Sequence, residues 1–332
     1  MSVDESLSEI DAIGIGRKGT IDKPQLLSTP FWTVDTLFFM TPLHDNILLF
    51  LYALSQIIEW SKMDESTGVP SLSKLNIENV DVCIPALPEQ TIIGTFFRTL
   101  DDTITLHRRK LDGLKELKRA YLQQMFPQAG ESVPRVRFAG FTEPWEERKL
   151  GEISSKITEK NKNTAFTETL TNSAKYGIIS QRDFFDKDIS NEKNLSGYYV
   201  VRPDDFVYNP RISNFAPVGP INRNLLNRTG VMSPLYYVFR ISVGDATYIE
   251  KYFESGCWHD FMFLNGDNGV RADRFNIKDS IFAEMPIPFP SIPEQAAIGI
   301  FLRNLDEHID VQQQKLNYLK QLKSAYLQKT FV

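Results

Sequence analysis

The sequence predicts a mixed α/β (α+β) protein in which sheet-and-helix segments alternate with two long helices. Three observations carry that expectation. One helix-like stretch occurs twice; short aromatic and β-branched runs, punctuated by Gly, Pro and Asn, precede each copy; and those runs follow the same order in both halves.

Residues 85–126 read PALPEQTIIGTFFRTLDDTITLHRRKLDGLKELKRAYLQQMF. Residues 290–331 read PSIPEQAAIGIFLRNLDEHIDVQQQKLNYLKQLKSAYLQKTF, 205 positions later without a gap and about half identical. Pro88 and Pro293 suit a first helical position, where the missing N–H is not needed, and Glu89 and Glu294 place a carboxylate at the positive end of the helix dipole. Apolar positions then step by four and three through Ile93, Phe97, Leu100, Ile104, His107, Leu111, Leu114, Lys118, Tyr121 and Met125. The second copy runs Ile298, Leu302, Leu305, Ile309, Gln312, Leu316, Leu319, Lys323, Tyr326 and Thr330. This is a coiled-coil seam, polar at the same two places in both copies (107/312 and 118/323), where polar side chains fix register at a cost in stability. A helix from Pro88 to Met125 would be about 57 Å long, which suits a spacer. Identities off the seam (Gly94/Gly299, Arg98/Arg303, Asp101/Asp306, Gln123/Gln328) mark a true repeat, since a seam does not require them.

Between the copies, strand-like runs occupy 197–201, 205–209 and 233–240, with turns at Asn209-Pro210-Arg211 and over 216–220. A helical stretch over 245–264 follows, then an apolar strand and the Pro-rich entry to the second long helix. The first 84 residues repeat that order: a glycine-rich turn from Gly14 to Thr20, a strand over 32–40 and a helix over 45–60. Gly68-Val69 is matched with Gly269-Val270, and Asn76-Ile77 with Asn276-Ile277. This segment therefore reads as the distal half of the second one, with no counterpart of roughly 133–199.

Composition sets the remaining bounds. A chain of 332 residues, 42% hydrophobic and 24% charged, is expected to form two or three soluble domains. No run approaches the roughly 18 apolar residues of a membrane span, and the acidic start lacks a signal-peptide pattern, so the expected location is cytoplasmic. Cys83 and Cys257 have no metal or redox spacing and are expected to be buried small hydrophobes. A net charge of −5 means that any nucleic acid must be met by local basic patches or by partner subunits.

Several catalytic patterns fail on their chemistry. Gly14-Ile15-Gly16-Arg17-Lys18-Gly19 matches a dinucleotide fingerprint, but no helical period follows it, and Thr20 stands where a phosphate loop needs lysine. Asn209-Pro210-Arg211 lacks the second proline and the aromatic of an amino-methyltransferase motif. Pro203-Asp204 has no partner carboxylate at a workable distance for magnesium. His44, His107, His259 and His308 form no metal spacing and stand beside no nucleophile, so no metal or catalytic residue is expected.

The order of variable domain, helix opening Pro-x-Pro-Glu-Gln, second variable domain and second such helix resembles the specificity subunit of type I restriction–modification enzymes. The run from Pro134 to Ile153 (PRVRFAGFTEPWEERKLGEI) and the signature Leu114-Lys-x-Leu-Lys-x-Ala-Tyr-Leu-Gln123, repeated from Leu319 to Gln328, are also similar to that family. The resemblance covers nearly the whole chain. It implies a partial first target-recognition domain over 1–84, a first spacer helix over 85–127, a complete second target-recognition domain over 128–289 and a second spacer helix over 290–332. The spacers would pack as an antiparallel coiled coil.

It further implies a non-catalytic reader of a bipartite double-stranded DNA site, read most securely at the second half-site, that docks methyltransferase and restriction subunits. The chain itself would need no cofactor; S-adenosylmethionine, ATP and Mg would belong to those partners. Self-association through the spacers is a further expectation, and a structural or regulatory scaffold without its own specificity is the alternative. Donors able to reach base edges or phosphates are Arg17, Lys18, Lys175, Tyr176, Gln181, Arg182, Arg211, Asn214, Asn222, Arg223, Arg271 and Arg274.

Overall fold

The computed structural model describes residues 7–43, 45–64, 66–128, 130–185, 192–268 and 273–331. In chain order its elements begin with β1 (Ala12–Gly16), β2 (Gln25–Leu27), β3 (Leu37–Met40), α1 (Leu48–Ser55), α2 (Lys74–Glu78) and α3 (Leu87–Gln124). There follow β4 (Glu146–Lys149), α4 (Leu150–Ile153), β5 (Ser154–Lys156), β6 (Leu170–Ser173), β7 (Gly177–Ser180), α5 (Gln181–Phe185), β8 (Tyr199–Val201), β9 (Phe206–Tyr208), β10 (Ile221–Arg223), β11 (Gly230–Met232) and β12 (Tyr237–Ile241). The chain closes with α6 (Ala246–Ser255), α7 (His259–Asn265), β13 (Asp267–Asn268), β14 (Phe275–Asn276), α8 (Asp279–Phe282), β15 (Pro286–Phe289) and α9 (Ile292–Thr330). Two compact units result: Met1–Gly113 with Asp310–Val332, called unit one, and Leu114–Ile309, called unit two. Each long helix contributes a part to both.

Unit one is built on an antiparallel sheet in the order β2-β1-β3. The expected glycine-rich turn is shorter than the sequence suggested, because residues 12–16 form a fully buried central strand. Its glycines answer to close packing: a Cβ at Gly14 would meet Leu27 at 3.1 Å, and one at Gly16 would meet the Thr20 carbonyl oxygen at 2.4 Å. The expected helix over 45–60 ends at Ser55, where the Trp60 indole N–H folds back to donate to the Ser55 carbonyl (2.9 Å). Cys83, expected to be buried, is exposed, and Cys257 is half-buried.

Unit two carries a four-stranded sheet in the order β10-β9-β12-β5, a β4–β15 pair and the β6–β7 hairpin. Stacked aromatics fill its core, among them Phe206 and Phe239 (5.4 Å) and Tyr208 and Phe282 (5.0 Å). The expected helix over 245–264 is two helices, divided at Gly256, whose left-handed φ of 76° ends α6. Trp258 then donates its indole N–H to Phe253 O (2.9 Å), as Trp60 does at the end of α1. α2 corresponds to α8, so Ile77 stands where Phe282 does. The sequence match of Asn76-Ile77 with Asn276-Ile277 is therefore corrected, because those two residues precede α8.

Each long helix is fixed at its start in one way. Gln295 is fully buried; its side-chain N–H donates to Pro290 O (2.8 Å) and its Oε1 accepts from the Asp245 N–H at the cap of α6 (2.8 Å). Gln90 does the same in unit one, with Pro85 O (2.9 Å) and the Ile47 N–H at the cap of α1 (3.0 Å). One turn later, Gly94 and Gly299 let backbone meet backbone: a Cβ at Gly94 would lie 2.7 Å from the Phe50 nitrogen, and one at Gly299 3.0 Å from the Tyr248 nitrogen.

Within each unit the two long helices run antiparallel. In unit one Phe96 packs edge-on against Tyr326 (5.2 Å); in unit two Phe301 packs so against Tyr121 (4.9 Å). Lys323 bonds Asp101 and the Gln56 side-chain oxygen (2.6 Å) in unit one, and in unit two Lys118 bonds Asp306 and Glu254 (2.8 Å). These pairs exchange under the repeat. Buried Lys251 joins the second cluster. Burial opposes its charge, yet Glu254, Glu250 and Asp306 outweigh that cost and raise its pKa above the usual lysine value. Its contribution is full below the unfolded lysine pKa and is lost only as pH rises through the raised folded value, well above neutrality. In unit one, Gln312 donates to His107 Nδ1 (2.5 Å) and to the His107 carbonyl (3.1 Å), so the two equivalent polar seam positions face each other.

Most seam positions are buried or half-buried, including Ile93, Phe97, Leu100, Ile104, Leu111, Leu114, Ile298, Leu302, Leu305, Ile309, Leu316 and Leu319. Toward the end of each copy the buried position moves on by one: Leu122 and Leu327 are buried, beside half-buried Tyr121 and exposed Tyr326. A helix of 3.6 residues per turn drifts from a 3.5 repeat in this way.

Three outcomes follow for chemical denaturation. Gly94→Ala forces α3 away from α1 and lowers unfolding free energy by about 1–3 kcal/mol. Replacing His107 and Gln312 together by leucine raises it by about 1–3 kcal/mol through added apolar burial. Gln312→Leu alone, which strands a buried acceptor, lowers it.

Candidate nucleic-acid interface

In unit two, β9 runs out through Asn209, Pro210 and Arg211 to a short ladder with β14. Ile212 N–H donates to Asp273 O (3.0 Å) and Phe275 N–H to Pro210 O (2.8 Å). That ladder sets Arg211 and Arg274 opposite each other, both exposed. Like charges directly across an antiparallel bridge are unfavourable, and an anion shared between them reverses the sign of the interaction. Unit one has the same construction. Gly19 N–H donates to Pro70 O (2.8 Å), Leu72 N–H to Arg17 O (3.0 Å), and exposed Lys18 stands opposite Ser71. Exposed Arg17 donates to Asp35 O (3.3 Å) and lies 5.8 Å from the Phe38 ring.

A second basic point is the tip of the β6–β7 hairpin, turned at Gly177 (φ 69°). Lys175 and Tyr176 are exposed there, with the ammonium 4.9 Å from the ring. An asparagine network sets the tip. The Asn172 amide donates to Val207 O (2.6 Å) and Pro220 O (3.2 Å), Asn209 donates to Asn172 O (2.8 Å), and Asn222 to Asn172 Oδ1 (2.7 Å). Beside it lies a cavity of about 380 Å³, with Lys115, Lys118 and Arg119 of α3 on one wall and Ala174 and Phe215 on another. His259 also lines it; burial outweighs Asp260 and holds its pKa below the usual histidine value.

The sequence-derived donors therefore divide. Lys18, Lys175, Tyr176, Arg211 and Arg274 stand exposed at the bridges and the hairpin tip. Asn214 is exposed in the turn closed by Ser213 and Ala216, and Arg182 is exposed on α5. Asn222 is engaged in the asparagine network. Arg223 is held by Asp204 (2.5 Å), Glu250 (3.3 Å) and Thr247 (3.2 Å), with only 15% of its side chain exposed. Gln181 is half-buried, its Oε1 without a hydrogen-bond partner among the described residues. Arg271 and His44 lie outside the described residues.

Sequence reasoning missed Lys115 and Arg119, which heptad analysis placed only as off-seam positions. It also missed Phe215, 75% exposed in a turn where an aromatic between polar neighbours was the available signal.

The glycine fingerprint runs from β1 through a turn that leads to the antiparallel β2, so no helix N-terminus meets it. Among the described residues no group of three His, Cys, Asp or Glu could hold a metal, and no helix is long and apolar enough to cross a membrane.

Comparison with known proteins gives the family. The model of the type I restriction modification DNA specificity domain matches residues 4–116 and 142–321. The type I restriction enzyme MjaVIII specificity subunit of Methanocaldococcus jannaschii is 22% identical over 296 residues, covering 85% of this chain and 68% of that protein. The crystal structure of the type I restriction–modification S subunit from M. genitalium shares the fold at a TM-score of 0.61 and 13% identity, over 99% of this chain and 85% of that one. A chain from a structural study of complex assembly and conformational transition in the type I system aligns at 0.50 and 18% identity, over 99% of this chain and 84% of its own. The repeated helices, the two sheet-bearing units and the matched residues together place this chain in the type I restriction–modification DNA specificity family, as a non-catalytic specificity subunit.

Proposed function

We propose that unit two contacts one half of a bipartite double-stranded DNA site through the Arg211–Arg274 bridge and the Lys175–Tyr176 tip. The observation that carries this reading is the exposed like-charge pair across the bridge; in unit one a similar bridge carries a single exposed cation, Lys18, opposite Ser71. Arg211 and Arg274 bind phosphate and fix the register of the protein on the duplex. Base discrimination then falls to neighbouring donors such as Asn214 and Lys175. Lys18 and Arg17 serve the other half-site, where the smaller set of donors gives a weaker reading.

The target-recognition segments lie over 1–84 and 128–289. The helices over 85–127 and 290–332 count out the gap between half-sites. Their exposed faces dock methyltransferase subunits, and restriction subunits join that core. S-adenosylmethionine, ATP and Mg belong to those partners, the complex works in the cytoplasm, and copies of this chain associate through the same helices when partners are absent.

Two outcomes test this. In complex with its methyltransferase, the Arg211→Ala/Arg274→Ala variant weakens binding to DNA of every sequence, and its log K against log salt slope falls by about 0.9 for each phosphate no longer neutralised. An unchanged slope, measured by fluorescence anisotropy, removes the bridge from the interface. Reversing Arg108, Arg109 and Lys110, all exposed on α3, to glutamate abolishes co-purification with the methyltransferase subunit. Retained co-purification excludes that face from docking.

A further inference from the structure

Unit two shows what covers a face that unit one leaves open. There, residues 134–156 cross from the long helix to the sheet. Arg137 makes a two-point ion pair with Glu294 (2.6 and 2.9 Å), which is 1% exposed. Phe138 packs edge-on against Phe301 (5.6 Å). Strand β4 pairs with β15, α4 buries Leu150 and Ile153 in the core beside Trp145, and β5 then completes the sheet along β12.

Each of these partners on the long helix and on β15 has a counterpart in unit one. Glu89 stands for Glu294 and is exposed, with no ion-pair partner among the described residues. Phe96 stands for Phe301 and is 44% exposed. Val82 and Ile84 stand for Ile287 and Phe289; they are 41% and 45% exposed, against 0% and 6%. Residues 81–84 make no backbone hydrogen bond among the described residues, and β3 is paired only with β1. Between these two open edges lies an apolar cavity of about 250 Å³, lined by Ile13, Met40, Leu43, Trp60, Val82 and Ile84. Unpaired edges flanking an apolar hollow are the form of a site for strand addition.

We propose that this face of unit one docks a polypeptide segment built like residues 134–156. Its arginine, phenylalanine, tryptophan, leucine and isoleucine are placed as Arg137, Phe138, Trp145, Leu150 and Ile153. The arginine meets Glu89 and the aromatic meets Phe96. A strand pairs with 81–84, the two aliphatic side chains and the indole fill the hollow, and a second strand extends the sheet at β3. The inference does not depend on DNA contacts, so it stands or falls apart from the bridge at Arg211 and Arg274.

The test uses the full chain and a labelled synthetic peptide of residues 134–156. Saturable one-to-one binding is expected by anisotropy. Ile84→Asp weakens it at least tenfold, and Glu89→Arg does the same but is rescued by an Arg137→Glu peptide. Backbone hydrogen exchange at 37–40 and 81–84 slows when peptide is added. Absence of saturable binding overturns the proposal, as does binding indifferent to both substitutions. A photocrosslinker at peptide position 145 that marks 286–289 in place of 81–84 also overturns it, because the peptide would then be exchanging into unit two.

Discussion

The fold rests on the way each long helix is held where it begins. A buried glutamine reaches back to the carbonyl that precedes its own helix and forward to the N-terminus of a short helix. A glycine one turn later then permits contact at backbone distance. The four orphan N–H groups at a helix start demand partners when buried, and here one side chain supplies an acceptor to a neighbouring helix while its own donor closes the loop behind it. A Pro-Glu-Gln triplet that looks like simple helix initiation is thus a joint between the sheet-bearing part of a unit and its rod. The glutamate answers to a different requirement, being bound by arginine in unit two and open in unit one.

Register along the rods comes from polar groups that have no freedom to slide. The Lys–Asp pairs lie on either side of His107 and Gln312 in the sequence of the repeat, and a shift by one turn would bury each lysine without its carboxylate. The apolar seam supplies most of the association energy and tolerates neighbouring registers. The polar positions supply the choice among them.

The sequence made the repeat, the seam and the polar seam positions legible because identity at a fixed spacing survives in every side chain. It also brought out Lys18 and Arg211 as candidates, though not that they occupy the same bridge in the two units. That equivalence emerges only from pairing with residues more than fifty positions away. Strand β1 was hidden because two glycines, needed where Leu27 and the Thr20 carbonyl approach, also signal turns. Asn222 and Arg223 look like free donors along the chain, since Asn172 and Glu250, which engage them, are remote in sequence. A strict heptad puts Tyr326 on the seam, and helical drift gives that place to Leu327.

Unit one closes around the far end of the chain: Phe331 stacks on Phe97 (6.0 Å) and lies against Phe50 (5.6 Å), with Leu327 in the same cluster. The ribosome therefore emits most of this unit long before the piece that seals it. At roughly 5–20 residues per second, the interval lasts about 10–40 s. Unit two, contiguous from Leu114 to Ile309, has all its parts in hand earlier. Biosynthesis imposes an order in which the lobe begun second matures first, and loss of Leu327 and Phe331 injures the lobe whose sheet forms from residues 12–40.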